Sequence, residues 1–184
     1  RPMVCGAWPE HVQSSRGSEE GDKFARKLTL LEGVAALATL CAAPDQVTGR
    51  AVKIYTDNKG LSQAYGKAHS RDKFTYTVMM ALKDVAKYLG IKLCVLWTPR
   101  CSSPGEVVAD HLSKAKFEEA GEVAEVPVHL ARVPRTLLKW LERPTVTRLL
   151  GMAILREMED MGTKVLPMEP ESPAEIASLK WKGR

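Results

Sequence analysis

Three acidic residues lie inside apolar sequence, although most acidic side chains in proteins lie in polar, solvated stretches. Asp57 follows a stretch of alternating apolar residues at 52–56, and Asn58 after it breaks that pattern. Glu32 and Asp110 lie within apolar runs that have helical spacing. Carboxylate oxygens are the ligands that hard divalent cations prefer. Three carboxylates on separate apolar elements therefore predict a metal site.

Each of these acids also has an ordinary structural interpretation. Asp57 and Asn58 could form the turn that ends a strand, because both residue types are common in turns. Glu32 and Asp110 could be solvent-exposed acids on the surfaces of helices. The apolar neighbours of Glu32, and the position of Asp57 directly after a strand, favour the site.

Apolar periodicity predicts the elements that carry these acids. Alternation indicates strands, and recurrence every three or four residues indicates helices. The predicted strands cover 3–8, 51–56 and 91–97, and the predicted helices cover 28–40, 61–65, 72–89 and 106–120. Strands that alternate with helices predict an α/β domain in which helices flank a mixed sheet.

The sequence changes in character after Gly121, where short apolar stretches containing proline indicate a linker. We therefore divide the chain into a domain at 1–120 and a linker with a helical extension at 121–184. Two short helices are predicted in this extension, at 135–141 and 146–161.

The helices of the extension carry closely spaced apolar side chains within the segment 134–161. Such stripes bury against something, which could be the core of this chain, another domain or a separate partner protein. We expect an interaction element that contacts other domains or subunits. The apolar positions on which this depends are Leu137, Leu138, Trp140, Leu141, Val146, Leu149, Leu150, Ile154 and Met158.

Composition limits the class of protein. The chain has 184 residues with a formal net charge of +5, a mild basic excess that permits nucleic-acid binding. No apolar run approaches the roughly 20 residues of a membrane span, and the N-terminus lacks the layout of a signal peptide, so we expect no membrane partner. The four cysteines are widely spaced, which disfavours a zinc site and favours reduced thiols in an intracellular protein.

Four motifs occur in a characteristic order. They are Cys-Gly-Ala-Trp at 5–8, Leu-Leu-Glu-Gly-Val-Ala-Ala-Leu at 30–37, Tyr-Thr-Asp-Asn at 55–58, and Trp-Thr-Pro-Arg at 97–100 followed by Val-Ala-Asp-His-Leu-Ser-Lys at 108–114. Together they resemble the ribonuclease H domain that follows reverse transcriptase in retrotransposons, especially in elements of the DIRS type. The resemblance covers about 3–115 and implies a five-stranded mixed sheet flanked by helices.

The resemblance also implies a chemistry. Ribonucleases H use four carboxylates to bind two Mg²⁺ ions, or Mn²⁺ as an alternative, and three of these would be Glu32, Asp57 and Asp110. One ion activates water for attack on an RNA phosphodiester, and the other stabilises the leaving 3′ oxygen. The family's first aspartate would lie upstream of Arg1. We therefore expect weak metal binding and slow or absent hydrolysis by this chain alone.

Several polar and basic side chains follow Asp57, where the family places residues near the substrate backbone. The predicted substrate-binding residues are Asn58, Lys59, Lys67, Arg71 and Arg100, and His69 and Lys73 belong to the same basic stretch. This stretch could equally be a solvated polar loop. Arg100 could hold a phosphate beside the site or pair with a nearby acid.

The predicted function is hydrolysis of the RNA strand of RNA–DNA hybrids with magnesium, within a retroelement reverse transcriptase polyprotein. The partner would be an RNA–DNA hybrid or structured RNA. The alternative is a catalytically incomplete ribonuclease-H-like module that binds nucleic acid or supports a larger assembly. The missing first aspartate and the long extension motivate this second interpretation.

Overall fold

The computed structural model describes residues 3–5, 28–100, 103–113, 116–124, 128–130 and 133–163. Within these ranges helices and strands alternate, so the predicted α/β class is confirmed. The strands are β1 (Met3–Cys5), β2 (Ala51–Thr56), β3 (Lys92–Trp97) and β4 (Val128–Leu130). The helices are α1 (Leu28–Ala42), α2 (Pro44–Val47), α3 (Lys59–Lys67), α4 (Lys73–Tyr88), α5 (Pro104–Ser113), α6 (Phe117–Ala124), α7 (Arg135–Glu142) and α8 (Leu150–Asp160).

Strands β2 and β3 pair in parallel, with a register that runs from Ala51 opposite Lys92 to Thr56 opposite Trp97. Helices α3 and α4 connect them, as a parallel pair requires. Strands β1 and β4 form a second parallel pair. The mixed sheet implied by the resemblance is not present among the described strands, whose pairings are all parallel. Parallel pairing places the carboxyl ends of β2 and β3 side by side.

Helix α4 has clear sequence signals at both ends. The Asp72 carboxylate accepts hydrogen bonds from the backbone N–H and the hydroxyl of Thr75, at 2.9 and 2.7 Å. This is an N-cap, which satisfies amide groups that have no partner within the helix. Gly90 follows the helix with a φ of 62°, the left-handed conformation that favours glycine after a helix. The helix predicted over 72–89 therefore differs from α4 only by its capping residues.

The core is built around α4, which packs against both α1 and α8. Its fully buried side chains include Val78, Leu82 and Val85, which share one face as the apolar spacing predicts. Burial raises the pKa of the Cys41 thiol on α1 to about 12, and Glu157 on α8 adds to the shift. Helices from both ends of the described chain thus contribute to one core.

The C-terminal helices pack against this core instead of extending away from it. Trp140 of α7 meets Phe74 of α4 edge to face, with ring centroids 6.4 Å apart. Most of the apolar residues predicted to need a partner are buried in the same core, namely Leu137, Trp140, Leu141, Leu150, Ile154 and Met158. Val146 and Leu149 are instead exposed, by 57% and 70%. The domain boundary at 120 and 121, and outside partners for 134–161, stay predictions.

Two predicted helices differ from the observed ones for local reasons. The helix predicted over 106–120 is divided into α5 and α6, and the Lys116 N–H donates to the His111 carbonyl at 2.9 Å. That i to i−5 bond is of the kind that ends a helix. Helix α8 begins at Leu150 instead of 146, and in the segment before it the Thr147 hydroxyl accepts the Leu149 N–H at 3.0 Å in a local turn.

None of the helices within the described residues combines the length and the apolar character that a membrane crossing demands. The strand predicted over 3–8 is observed at Met3–Cys5, and its remaining residues lie outside the described ranges.

Candidate active site

The carboxyl end of β2 delivers Asp57 to the edge of the sheet. Thr56, the last residue of the strand, is buried, whereas the side chain of Asp57 is 39% exposed. The indole N–H of Trp97, at the end of the neighbouring strand, donates to the Asp57 carbonyl at 3.2 Å. The Asp57 backbone is therefore tied to both strands, while its carboxylate faces solvent.

Arg100 joins Asp57 to Asp110. Its Nε lies 3.4 Å from Asp57 Oδ2, and its Nη2 lies 3.4 Å from Asp110 Oδ1. Asp110 comes from α5, and its side chain is only 18% exposed. One planar guanidinium thus lies between two carboxylates that come from different elements, which brings two of the three predicted ligands to one place.

The third predicted ligand, Glu32, reaches the same place from α1. The Thr56 hydroxyl donates to Glu32 Oε2 across 3.4 Å. Burial raises the pKa of Glu32 above its usual range, and the negative charge of Asp57 raises it further. The Thr56 hydrogen bond and the positive charge of Arg100 act in the opposite direction. Glu32 is therefore electrostatically coupled to both Asp57 and Arg100.

The carboxylate oxygens of these three residues are the type of ligand that a hard divalent cation prefers. Three carboxylates supply only oxygen ligands, and Mg²⁺ binds through a small number of carboxylates completed by water and substrate oxygens. The positively charged Arg100 contacts two of them, so a cation is already favoured at this position. In the described part of the chain, no three acidic, histidine or cysteine side chains are close enough to form a ready metal-binding group.

Two of the predicted substrate-binding residues have structural contacts. The Asn58 side chain caps α3 by accepting from the Leu61 N–H at 3.0 Å, and it also accepts from the Thr29 hydroxyl at 3.2 Å. The Lys59 ammonium lies 5.8 Å from the centroid of the Trp97 ring, a cation–π contact. Their roles in substrate binding stay predictions.

Three of the remaining basic residues line an open cavity of about 510 Å³ at the start of α3, together with the acidic residue Asp72. Lys67, His69 and Arg71 contribute to its wall, and all three are exposed. Thr29 and Gly60 line it too, and Thr29 is the residue that binds Asn58. The cavity and the carboxylate cluster are therefore connected through the start of α3.

Sequence reasoning missed the role of Thr56. Its hydroxyl donates to Glu32 and accepts from the Asn58 N–H at 3.0 Å, so it links α1 to the strand end. A signal was present, because alternation along β2 places Thr56 on the same face as Val52 and Ile54, where a polar residue needs a partner. Thr29 and the Trp97 indole gave no comparable signal.

Comparison of the chain with protein-family models, with curated proteins and with solved structures finds no match. The features of this chain that bear on function are therefore its motifs and the geometry of its carboxylates.

Proposed function

We propose that this chain is a ribonuclease-H-type endonuclease domain from a retroelement reverse transcriptase polyprotein. It hydrolyses the RNA strand of an RNA–DNA hybrid. The observation that carries the proposal is the approach of Glu32, Asp57 and Asp110, from three separate elements, to one end of the β2–β3 pair. These are the acids that the ordered motifs mark as ligands.

Metal binding falls to the same three carboxylates. When bound, divalent cations supply Lewis acidity and activate water for attack on a phosphodiester. Within the protein, Thr56 orients Glu32 through its hydroxyl, and the Trp97 indole holds the Asp57 backbone. These two contacts restrain Glu32 and the backbone of Asp57 before substrate arrives, which reduces part of the reorganisation that binding requires.

The basic cavity supplies the contact to the substrate backbone. Lys67 and Arg71 extend from its wall into solvent and carry charge complementary to phosphate. A hybrid duplex is recognised mainly through its shape and its 2′-hydroxyl groups, so contacts of this kind position the strand without reading its bases. The +5 net charge favours such binding.

A second candidate function is hybrid binding without cleavage, by a ribonuclease-H-like module of a larger assembly. The contact of Arg100 with both Asp57 and Asp110 favours it, because a guanidinium there neutralises the carboxylates without a metal. The basic cavity supports both functions equally, so cleavage and binding must be measured separately.

The decisive experiment measures cleavage and binding of a labelled RNA–DNA hybrid, with excess protein and either Mg²⁺ or Mn²⁺. Cleavage that Asp57→Asn reduces to background, with binding retained, supports the nuclease. Binding without cleavage in either metal supports the second function. Absence of both contradicts the two proposals. Double-stranded DNA serves as the competitor that tests selectivity for the hybrid.

Variants of the cavity test the substrate contact. Lys67→Ala and Arg71→Ala should each weaken hybrid binding by roughly two- to tenfold and make it less dependent on salt. Lys87→Ala is the matched control, because Lys87 is an exposed cation about 20 Å along α4 from the cavity end. Equal losses in all three variants would show that only net charge matters.

A further inference from the structure

Arg100 forms ion pairs with two acidic residues at once. It lies three residues beyond β3, and its Nε and Nη2 each lie 3.4 Å from a carboxylate oxygen, of Asp57 and Asp110 respectively. Its own side chain is 70% exposed. The guanidinium therefore contacts the carboxylates from a solvent-exposed position and can leave them without disturbing the core.

We propose that Arg100 is an exchangeable counter-cation that competes with a divalent metal ion for Asp57 and Asp110. The guanidinium neutralises the two carboxylates until a divalent cation takes them, and it then turns into solvent at the edge of the site. The inference rests on the proposed function, since it assigns Arg100 a role toward the metal that this function requires.

The physical reason is that both cations bind the same two carboxylates. A divalent ion bound by these carboxylates would lie close to the guanidinium, and the two positive charges would repel each other. Exposed ion pairs are weak, so the bound guanidinium is replaceable. Once released, it can pair with a substrate phosphate, a group that the planar fork of arginine suits.

A purely supporting role for Arg100 makes the opposite prediction for metal binding. If the guanidinium held the carboxylates in a geometry that metal requires, its removal would weaken binding. If the guanidinium competes, its removal strengthens binding. The sign of the change therefore separates the two roles.

The test is a titration of the full chain with Mn²⁺, in which the free ion is followed by electron paramagnetic resonance. Arg100→Gln should bind Mn²⁺ about three- to tenfold more tightly than the wild type. Arg100→Lys keeps the charge but loses the fork, and should fall between the two. Lys59→Gln is the matched control, since it removes a nearby cation that contacts Trp97 and not the carboxylates. An unchanged or weaker affinity in Arg100→Gln, or an equal gain in Lys59→Gln, would overturn the proposal.

A second measurement follows the arginine itself. The Nε–H resonance of Arg100, assigned by its loss in Arg100→Gln, should shift toward the position of solvent-exposed arginines as Mg²⁺ is added. A resonance that stays in place at saturating Mg²⁺ contradicts the exchange.

Failure of the inference can be told from failure of the proposed function. If Asp57→Asn abolishes Mn²⁺ binding and Arg100→Gln leaves it unchanged, the exchange is refuted, and the assignment of a metal site to the carboxylates stands. No Mn²⁺ binding in any variant refutes both. If Arg100→Gln binds Mn²⁺ more tightly but the chain does not cleave a hybrid, the exchange is supported and the nuclease function is refuted.

Discussion

The hydroxyl of Thr56 lies 3.4 Å from Oε2 of Glu32 and connects a helix carboxylate to the end of a strand. The hydroxyl oxygen of Thr56 also accepts a hydrogen bond from the backbone N–H of Asn58 at 3.0 Å. A single buried side chain therefore satisfies two groups, one on each side of the site. It also lowers the pKa of Glu32 against the larger effect of burial.

Thr56→Val should destabilise the protein by about 1–2 kcal/mol, because the isosteric valine leaves the Asn58 N–H without its partner. It should also raise the pKa of Glu32 further, since the hydrogen bond to the carboxylate is lost. Chemical denaturation and a carboxylate titration by NMR measure the two effects. Thr39→Val is the control, because Thr39 is exposed and bonds only within its own helix. Equal destabilisation by both variants would refute the link.

The effect of Glu32→Gln on stability should be more favourable at neutral pH than at pH 4. Burial and Asp57 raise the pKa of Glu32 above its ordinary value of 4.5. Its favourable contribution is therefore complete below the unfolded-state pKa and is lost as pH rises through the folded-state pKa. Glutamine removes this loss and can still accept from Thr56. Thermal unfolding between pH 4 and 7 measures the stability difference between this variant and the wild type. Glu142→Gln is the control, because Glu142 is an exposed acid. A wild-type advantage that grows with pH would contradict the assignment.

Gly151→Ala should destabilise the protein by about 1–3 kcal/mol, although alanine is the better helix former. A Cβ at Gly151 would lie 2.7 Å from Asp84 Oδ2 and 3.0 Å from Ala81 Cα, and the backbone atom of α4 cannot easily move. The matched control is Gly66→Ala in α3, where a Cβ would meet no atom within 4 Å. That variant should be neutral or stabilising. Denaturant unfolding of both proteins decides whether α8 lies against α4 in solution.

Glu157→Gln should cost about 1 kcal/mol at neutral pH. The Glu157 carboxylate accepts the backbone N–H groups of Arg135 and Thr136 at 2.7 and 2.8 Å, and so caps α7 from a different helix. Burial opposes ionisation, but these hydrogen bonds outweigh it and lower the pKa of Glu157. The stabilisation is present above the unfolded-state pKa and is lost as pH falls through the folded-state pKa.

Thermal unfolding of Glu157→Gln and of Glu159→Gln, an exposed acid on the same helix, tests this cap. The difference between wild type and Glu157→Gln should vanish in acid. A constant difference from pH 3 to 7 would show that the carboxylate charge plays no part.

The regular elements near the site followed from the sequence because their patterns are local. Strand β2 was predicted with its observed bounds, since the alternation at 51–56 ends at Asp57. The division between α5 and α6 was missed, because it depends on a backbone hydrogen bond that no side-chain pattern encodes. The buried faces of α7 and α8 were predicted, whereas the surface that covers them could not be read from spacing alone.

The site was predicted in part for a similar reason. Parallel strands place Asp57 and Arg100 at one edge, and a sequence pattern can suggest that topology. The contact between Arg100 and Asp110 depends instead on how the chain turns between β3 and α5, and that path is not determined by residue types. Pairing with a nearby acid was one of the two roles that the sequence left open for Arg100.

The register of β2 against β3 limits where the chain can gain or lose residues. Thr56 faces Trp97 across the pair, and the site begins one residue beyond Thr56. An insertion of one residue in either strand would move the site residues by about 3.3 Å and turn every side chain beyond it to the opposite face. Insertions between α3 and α4 would leave that register intact. Homologous chains of different length should therefore differ in the loop at 68–72 and agree in length across 51–57.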